Sequence, residues 1–108
     1  MIQEDYNMHP FTVYDWDPLP CKTSALTDLM RKNRGQNLLV RFFYEDYVYD
    51  AGVHTENGSS VFYLDDDSYP SMLGFCSGAC IEGVLISDFS DVVQVLSVNE
   101  KDPREFLA

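Results

Sequence analysis

Between Phe42 and Glu100 the chain contains no lysine and no arginine, although the whole sequence holds 18 acidic and 7 basic residues and a formal net charge of −11. That cation-free stretch carries eleven acids: Glu45, Asp46, Asp50, Glu56, Asp65, Asp66, Asp67, Glu82, Asp88, Asp91 and Glu100. The other 7 acids (18 less 11) and the 7 bases cancel, so the entire net charge belongs to this one stretch. Affinity for nucleic acid comes mostly from Lys and Arg on phosphates, so direct DNA or RNA binding is excluded as the leading role, and anionic membrane surfaces with it. No apolar run approaches the roughly 18 residues of a membrane-spanning helix. Met1 to Asp5 has neither the positive charge nor the apolar stretch of a secretory signal, so a cytoplasmic location is expected. Cysteines number only three, Cys21, Cys76 and Cys80. Their odd count and irregular spacing make a poor disulfide framework and fit a reducing compartment.

Local chemical signatures are equally sparse. There is no Gly-rich phosphate loop and no dinucleotide fingerprint. Cys76 and Cys80 have three residues between them where redox motifs have two, and a zinc site would have to recruit Cys21, His9 or His54 at spacings that match no common pattern. Asp65, Asp66 and Asp67, with Asp50 and Glu56 across a hairpin, offer oxygen ligands to Mg²⁺ or Ca²⁺ but lack the alternating acids and glycine of a calcium loop. Cys76 or Cys80 with His54 and an Asp composes a nucleophilic set on paper, without the local signature of a nucleophile turn. No catalytic, cofactor-binding or metal-binding residue is therefore assigned, no cofactor is expected, and the chain reads as a binding protein and not an enzyme.

What is present is a foldable core. Hydrophobic residues make up 45% and aromatics 14% of 108 residues, enough for one domain over 1–108 and too short a chain for two. The lead to Pro10 is polar and aperiodic and is expected to be flexible. Phe11 to Tyr14 reads as a short strand ended by Pro18 and Pro20. Thr23 or Ser24 can cap a helix over about 24–34 that buries Ala25, Leu26, Leu29 and Met30, places Arg31, Lys32 and Arg34 late, and stops at Gly35. From Leu38 the period changes to two, and Glu45-Asp46 is a turn or bulge before Tyr47 to His54 resumes the strand. Asn57-Gly58 suits a type I′ turn, pairing the segments around it into a hairpin. Asp65 to Gly74 reads as a long loop leaving the sheet. The segments on either side of Glu82-Gly83 form a strand with a bulge, Val92 to Val98 is a strand with a helix as the alternative, and Asp102 to Glu105 starts a short helical turn. The expected fold class is α+β: an antiparallel sheet of four to six strands, with the one helix packed on one face and a short C-terminal helical turn.

Tyrosines and acids alternate in two segments, Tyr44 to Asp50 and Tyr63 to Tyr69. Tyrosine gives large contact area at small entropy cost and stacks on arginine, while carboxylates meet Lys and Arg directly. Glu45, Asp46, Tyr47, Tyr49, Asp50, Glu56, Asp65, Asp66, Asp67 and Tyr69 are the candidate partner-binding residues. The alternative for any one tyrosine is a half-buried place in the sheet, and for the acids plain solubility. In size, charge and lack of catalytic motif the chain resembles phage anti-restriction and anti-CRISPR proteins of the DNA-mimic type. That resemblance implies a small acidic inhibitor seated on the basic nucleic-acid-binding surface of an effector or nuclease. The alternatives are an immunity protein neutralising a basic toxin nuclease and a non-enzymatic adaptor using an exposed sheet face. Both a monomer and a dimer, the latter through an unpaired edge strand, are compatible with the sequence.

Overall fold

In the computed structural model, which describes residues 14–107, the alternation that begins at Leu38 becomes the centre of an antiparallel sheet. In chain order the elements are β1 (Leu19–Lys22), α1 (Thr23–Lys32), β2 (Leu38–Tyr44), β3 (Tyr47–Glu56), β4 (Ser59–Leu64), β5 (Asp67–Tyr69), α2 (Met72–Gly78), β6 (Cys80–Ile81), β7 (Val84–Leu85), β8 (Val92–Val98) and α3 (Arg104–Leu107). Six strands form the main sheet in the order β1-β8-β2-β3-β4-β5, and β6 and β7 make a separate two-stranded hairpin. No helix among the described residues is long and apolar enough to cross a membrane.

Period-two patterning decides which face is buried, because successive side chains of a strand point to opposite sides. Leu38, Val40 and Phe42 of β2 share a face with Ala51, Val53, Phe62, Leu64, Val93, Val95 and Val98, all buried. Onto this face pack Leu26, Leu29 and Met30 of α1. The single-helix arrangement expected from sequence is incomplete, however. Phe75 of α2 and Ala79, Ile81 and Ile86 around the small hairpin belong to the same core, so two helices and a hairpin contribute to it. Fully burying side chains such as Phe42, Phe62 and Phe75 contributes about 1.5–3 kcal/mol each.

Several local expectations are corrected by packing. α1 runs over Thr23–Lys32 and has no side-chain cap; Lys22 occupies the cap position and the Thr23 hydroxyl is drawn inward, donating to the Ile86 carbonyl at 3.2 Å. The chain after Leu64 does not leave the sheet. It reverses through Asp65-Asp66 and returns as β5, with Leu64 opposite Asp67 and Phe62 opposite Tyr69. Three residues with a leading acid suit an edge strand, which must avoid pairing with other chains. The stretch beyond, read as loop, forms α2 despite Gly74 and Gly78. Ser71 caps it by accepting the Gly74 N–H at 3.0 Å, and the ring of Tyr69 lies where a Cβ on Gly78 would sit, 2.6 Å from its Cε2. The segment around Glu82-Gly83 is a tight hairpin and not a bulged strand. Pro20 falls inside β1, which is tolerated because β1 is an edge strand. Two further expectations agree: Val92–Val98 is a strand, and Asn57 (φ 54°) with Gly58 (φ 82°) closes the β3–β4 hairpin. Phe11 to Val13 of the expected first strand, and the expected flexible lead to Pro10, lie outside the described residues; Tyr14 belongs to no strand.

The second face of the sheet is polar at its middle. Arg41 and Asp50, directly opposite on β2 and β3, form a bidentate pair at 2.8 and 3.1 Å. The pairing raises the Arg41 guanidinium above its ordinary value, the hydrogen bond to Asp50 being the main cause. A bulge in β8 leaves Leu96 between the pairs Arg41–Ser97 and Phe42–Val95, and its carbonyl accepts the Trp16 indole N–H at 2.6 Å. Tyr14 stacks on Trp16 and its hydroxyl lies 3.3 Å from the Ser97 Oγ, which donates to it. The segment from Tyr14 to Trp16 thus straps part of this face.

Gly52 marks where that face is tightest. Opposite it on β4 stands Tyr63, whose hydroxyl reaches across to donate to the Leu38 carbonyl at 3.1 Å. A Cβ at Gly52 would collide with the Leu38 carbonyl oxygen and come within 2.9 Å of the Tyr63 hydroxyl. Since the backbone cannot give way as a side chain can, Gly52→Ala is expected to destabilise the protein by about 3 kcal/mol. Gly58→Ala meets open space and has only its positive φ to overcome, for about 1 kcal/mol. Equilibrium urea unfolding of the two variants measures the difference.

Candidate partner-binding surface at the acidic turns

Antiparallel pairing brings separate parts of the acidic stretch to one end of the sheet. The β2–β3 hairpin closes on the pair Tyr44–Tyr47, with Glu45 and Asp46 in the turn. On one side the Asp65-Asp66 turn between β4 and β5 folds against β3: the Asp65 N–H donates to the Asp50 carbonyl at 2.7 Å and the Asp50 N–H to Asp65 Oδ1 at 2.9 Å. On the other side the start of β8 lies beside the end of β2, so Asp91 meets Tyr44. Glu82, in the β6–β7 turn, lies near the same end, where its charge acts on the Tyr44 and Tyr49 phenols.

The two tyrosines of the closing pair each brace one carboxylate. Tyr44 donates to Asp91 Oδ2 at 2.7 Å, and Asp91 Oδ1 accepts the Val92 N–H at 2.8 Å. Tyr47 donates to Asp65 Oδ2 at 3.2 Å, completing two hydrogen bonds on that carboxylate as well. Charge-assisted bonds of this kind fix the acids in place before any partner arrives. The electrostatic consequences follow. The hydrogen bond from Tyr44, then that from the Val92 main chain, holds the Asp91 carboxyl below its ordinary range. The same Tyr44–Asp91 bond, with burial and then the fields of Asp91, Glu45 and Glu82, pushes the Tyr44 phenol up to about 12. Tyr47 is raised mainly by the field of Asp65 and its hydrogen bond. Lys22 borders the surface, its ammonium donating to the Ser90 carbonyl at 2.7 Å and its field reaching Asp91.

The candidate residues divide by position. Glu45, Asp46, Tyr47, Asp65 and Asp66 stand together, exposed, with Asp67 beginning β5 beside them. Tyr49 is adjacent but only 7% exposed, stacked on Phe42 with ring centroids 5.2 Å apart, so it serves the core. Asp50 points to the second face and is occupied by Arg41. Glu56 lies at the far end of β3, about 30 Å along the strand from Tyr47 at ~3.3 Å per residue, next to His54. Tyr69 is half-buried against Phe75. Tyr44, Glu82 and Asp91 belong to the surface and were not singled out from sequence. Tyr44 opens the very tyrosine-acid segment that drew attention to its neighbours, whereas Asp91 is brought in by the pairing of β8 with β2 and Glu82 by the packing of the separate β6–β7 hairpin.

Backbone geometry adds a further mark. Glu45 (φ 56°), Asp65 (φ 54°) and Glu82 (φ 54°) all hold left-handed conformations, which glycine or asparagine adopts at less cost. Asp65 is of a type that tolerates this conformation, but at Glu45 and Glu82 two turns keep a carboxylate where glycine or asparagine would fit better. Among the described residues no group of three His, Cys, Asp or Glu side chains is arranged to hold a metal ion. Comparison of the chain with protein-family models, with curated proteins and with solved structures found no match.

The Tyr44–Asp91 bond can be tested by pH. A depressed carboxyl contributes stability that is present above its unfolded pKa and is lost as pH falls through the folded one. A raised phenol contributes stability that is full below its unfolded value of about 10 and is lost as pH climbs toward about 12. In Tyr44→Phe, the NMR titration of the Asp91 carboxyl should move up toward the ordinary range, and the alkaline loss of stability should shrink. An unmoved Asp91 titration shows that the bond does not form in solution.

Proposed function

We propose that the protein is a small acidic inhibitor that presents this end of the sheet to the basic nucleic-acid-binding surface of an effector or nuclease, and that it acts by occupancy and not by catalysis. The reading rests on one observation above the others: acids from four separate turns or loops, Glu45 and Asp46, Asp65 and Asp66, Glu82 and Asp91, gather around one tyrosine pair. A spaced row of braced negative charges is what a protein needs in order to stand in for phosphates. Tyr47, 52% exposed, adds contact area of the kind that supplies binding energy at the centre of an interface. Complementary fields would speed encounter, and salt would slow it.

The test is competition. The protein, immobilised, should capture basic proteins from a DNA-cellulose eluate, and both duplex DNA and rising NaCl should release them. Asp65→Lys with Asp66→Lys should weaken capture by about tenfold or more. Binding that persists at high salt, or that duplex DNA does not displace, rules out phosphate mimicry.

The left-handed acids generate a separate expectation. Replacing Glu45 and Glu82 by asparagine should relieve strain and raise stability by up to about 1 kcal/mol in total, while reducing affinity for the captured partner, a trade of function for stability. Urea unfolding and the same capture assay, run side by side, check both signs.

A further inference from the structure

The opposite end of the sheet has a different chemistry. β5 is only three residues long and the chain turns away at Pro70, so the outer edge of β4 at Ser59 and Ser60 has no strand beside it. In its place is a groove of about 500 Å³, with Val61, Pro70 and Met72 supplying apolar surface and Arg34 among its lining residues. None of the residues lining it is acidic, in a chain of net charge −11. Leu73 follows Met72 in the first turn of α2 and is 80% exposed, the most exposed of the large hydrophobic side chains among the described residues. Arg34 makes no ion pair among the described residues. Glu56, cross-strand from the groove-lining Ser59, is exposed at the same end.

From these features we infer that a second copy of this chain docks here, each copy placing Leu73 in the groove of the other and Arg34 against the other's Glu56. A two-fold interface must be self-complementary, the same patch meeting itself. A projecting leucine beside an apolar hollow, and a cation beside an anion, satisfy that condition on a single surface. Charge selects the location as well. Two copies of net charge −11 repel wherever their acidic turns approach, whereas the lining of this groove holds no acid and Glu56 beside it meets Arg34 of the other copy. The contact is small and belongs to the weak, reversible class. It stands apart from the acidic turns, so it holds or fails independently of the inhibitor reading.

The salt dependence has the opposite sign to that of partner capture. Screening relieves the repulsion between two highly charged copies, whereas the two exposed Arg–Glu pairs lose little, so association should strengthen as NaCl rises. Sedimentation equilibrium of the full chain over a concentration series, at low and at physiological salt, reads this directly. Dimer mass that grows with concentration and salt is expected. Leu73→Asp, exposed and checked for folding by circular dichroism, should weaken it about tenfold or more. Arg34→Glu should weaken it, and Arg34→Glu with Glu56→Arg should restore it. A monomer at every concentration and salt overturns the inference, as does a dimer that Leu73→Asp leaves intact or that the charge swap does not restore.

Discussion

Carboxylates crowded at one end of a sheet repel one another, and the fold depends on how that repulsion is held in check. Lysine and arginine supply little of the answer there. Two phenols supply most of it. Because Tyr44 and Tyr47 close the same hairpin, their hydroxyls diverge to the two flanking strands, and each gives its proton to an aspartate arriving from a different turn. Main-chain N–H groups of Val92 and Asp50 take the second oxygen of each. The acids are satisfied by neutral donors, which leaves their charge undiminished toward solvent. An arrangement of arginine pairs would have stabilised the same turns while cancelling the field.

The contrast with Asp50 makes the distinction concrete. It is one of the eleven acids of the cation-free stretch, yet it turns to the second face and is neutralised by Arg41, the last cation before that stretch begins. Alternation along β3 separates the roles: Tyr49 enters the core, Asp50 the ion pair, and Tyr47 the exposed end. Gly52 and Tyr63 complete this face by letting a phenol cross the backbone at a place where no side chain fits.

Much of the fold was legible because its strongest patterns are local. Period two from Leu38, the helical spacing of Leu26, Leu29 and Met30, and Asn57-Gly58 each specify an element with little help from elsewhere. α2 was not legible, since Gly74 and Gly78 argue against a helix on propensity, while the burial of Phe75, the cap from Ser71 and the ring of Tyr69 against Gly78 favour it. β5 was missed for a related reason: Asp65-Asp66-Asp67 has the composition of a loop, and its pairing is decided by β4. For the candidate surface, the tyrosine-acid alternation pointed to the β2–β3 hairpin, but proximity along the chain carried Asp50 and Glu56 with it. Strand direction sends one to the opposite face and the other to the opposite end. Asp91 joins by the register of β8 on β2 and Glu82 by the packing of the small hairpin, properties that no single segment contains.

Trp16, the sole tryptophan, is anchored outside the main core, its indole proton on the carbonyl that the β8 bulge turns outward. Indole emission therefore watches the strap, while backbone ellipticity watches the sheet. Any interval between the two curves during denaturation would measure how far the strap can peel from its seat before the rest of the molecule gives way.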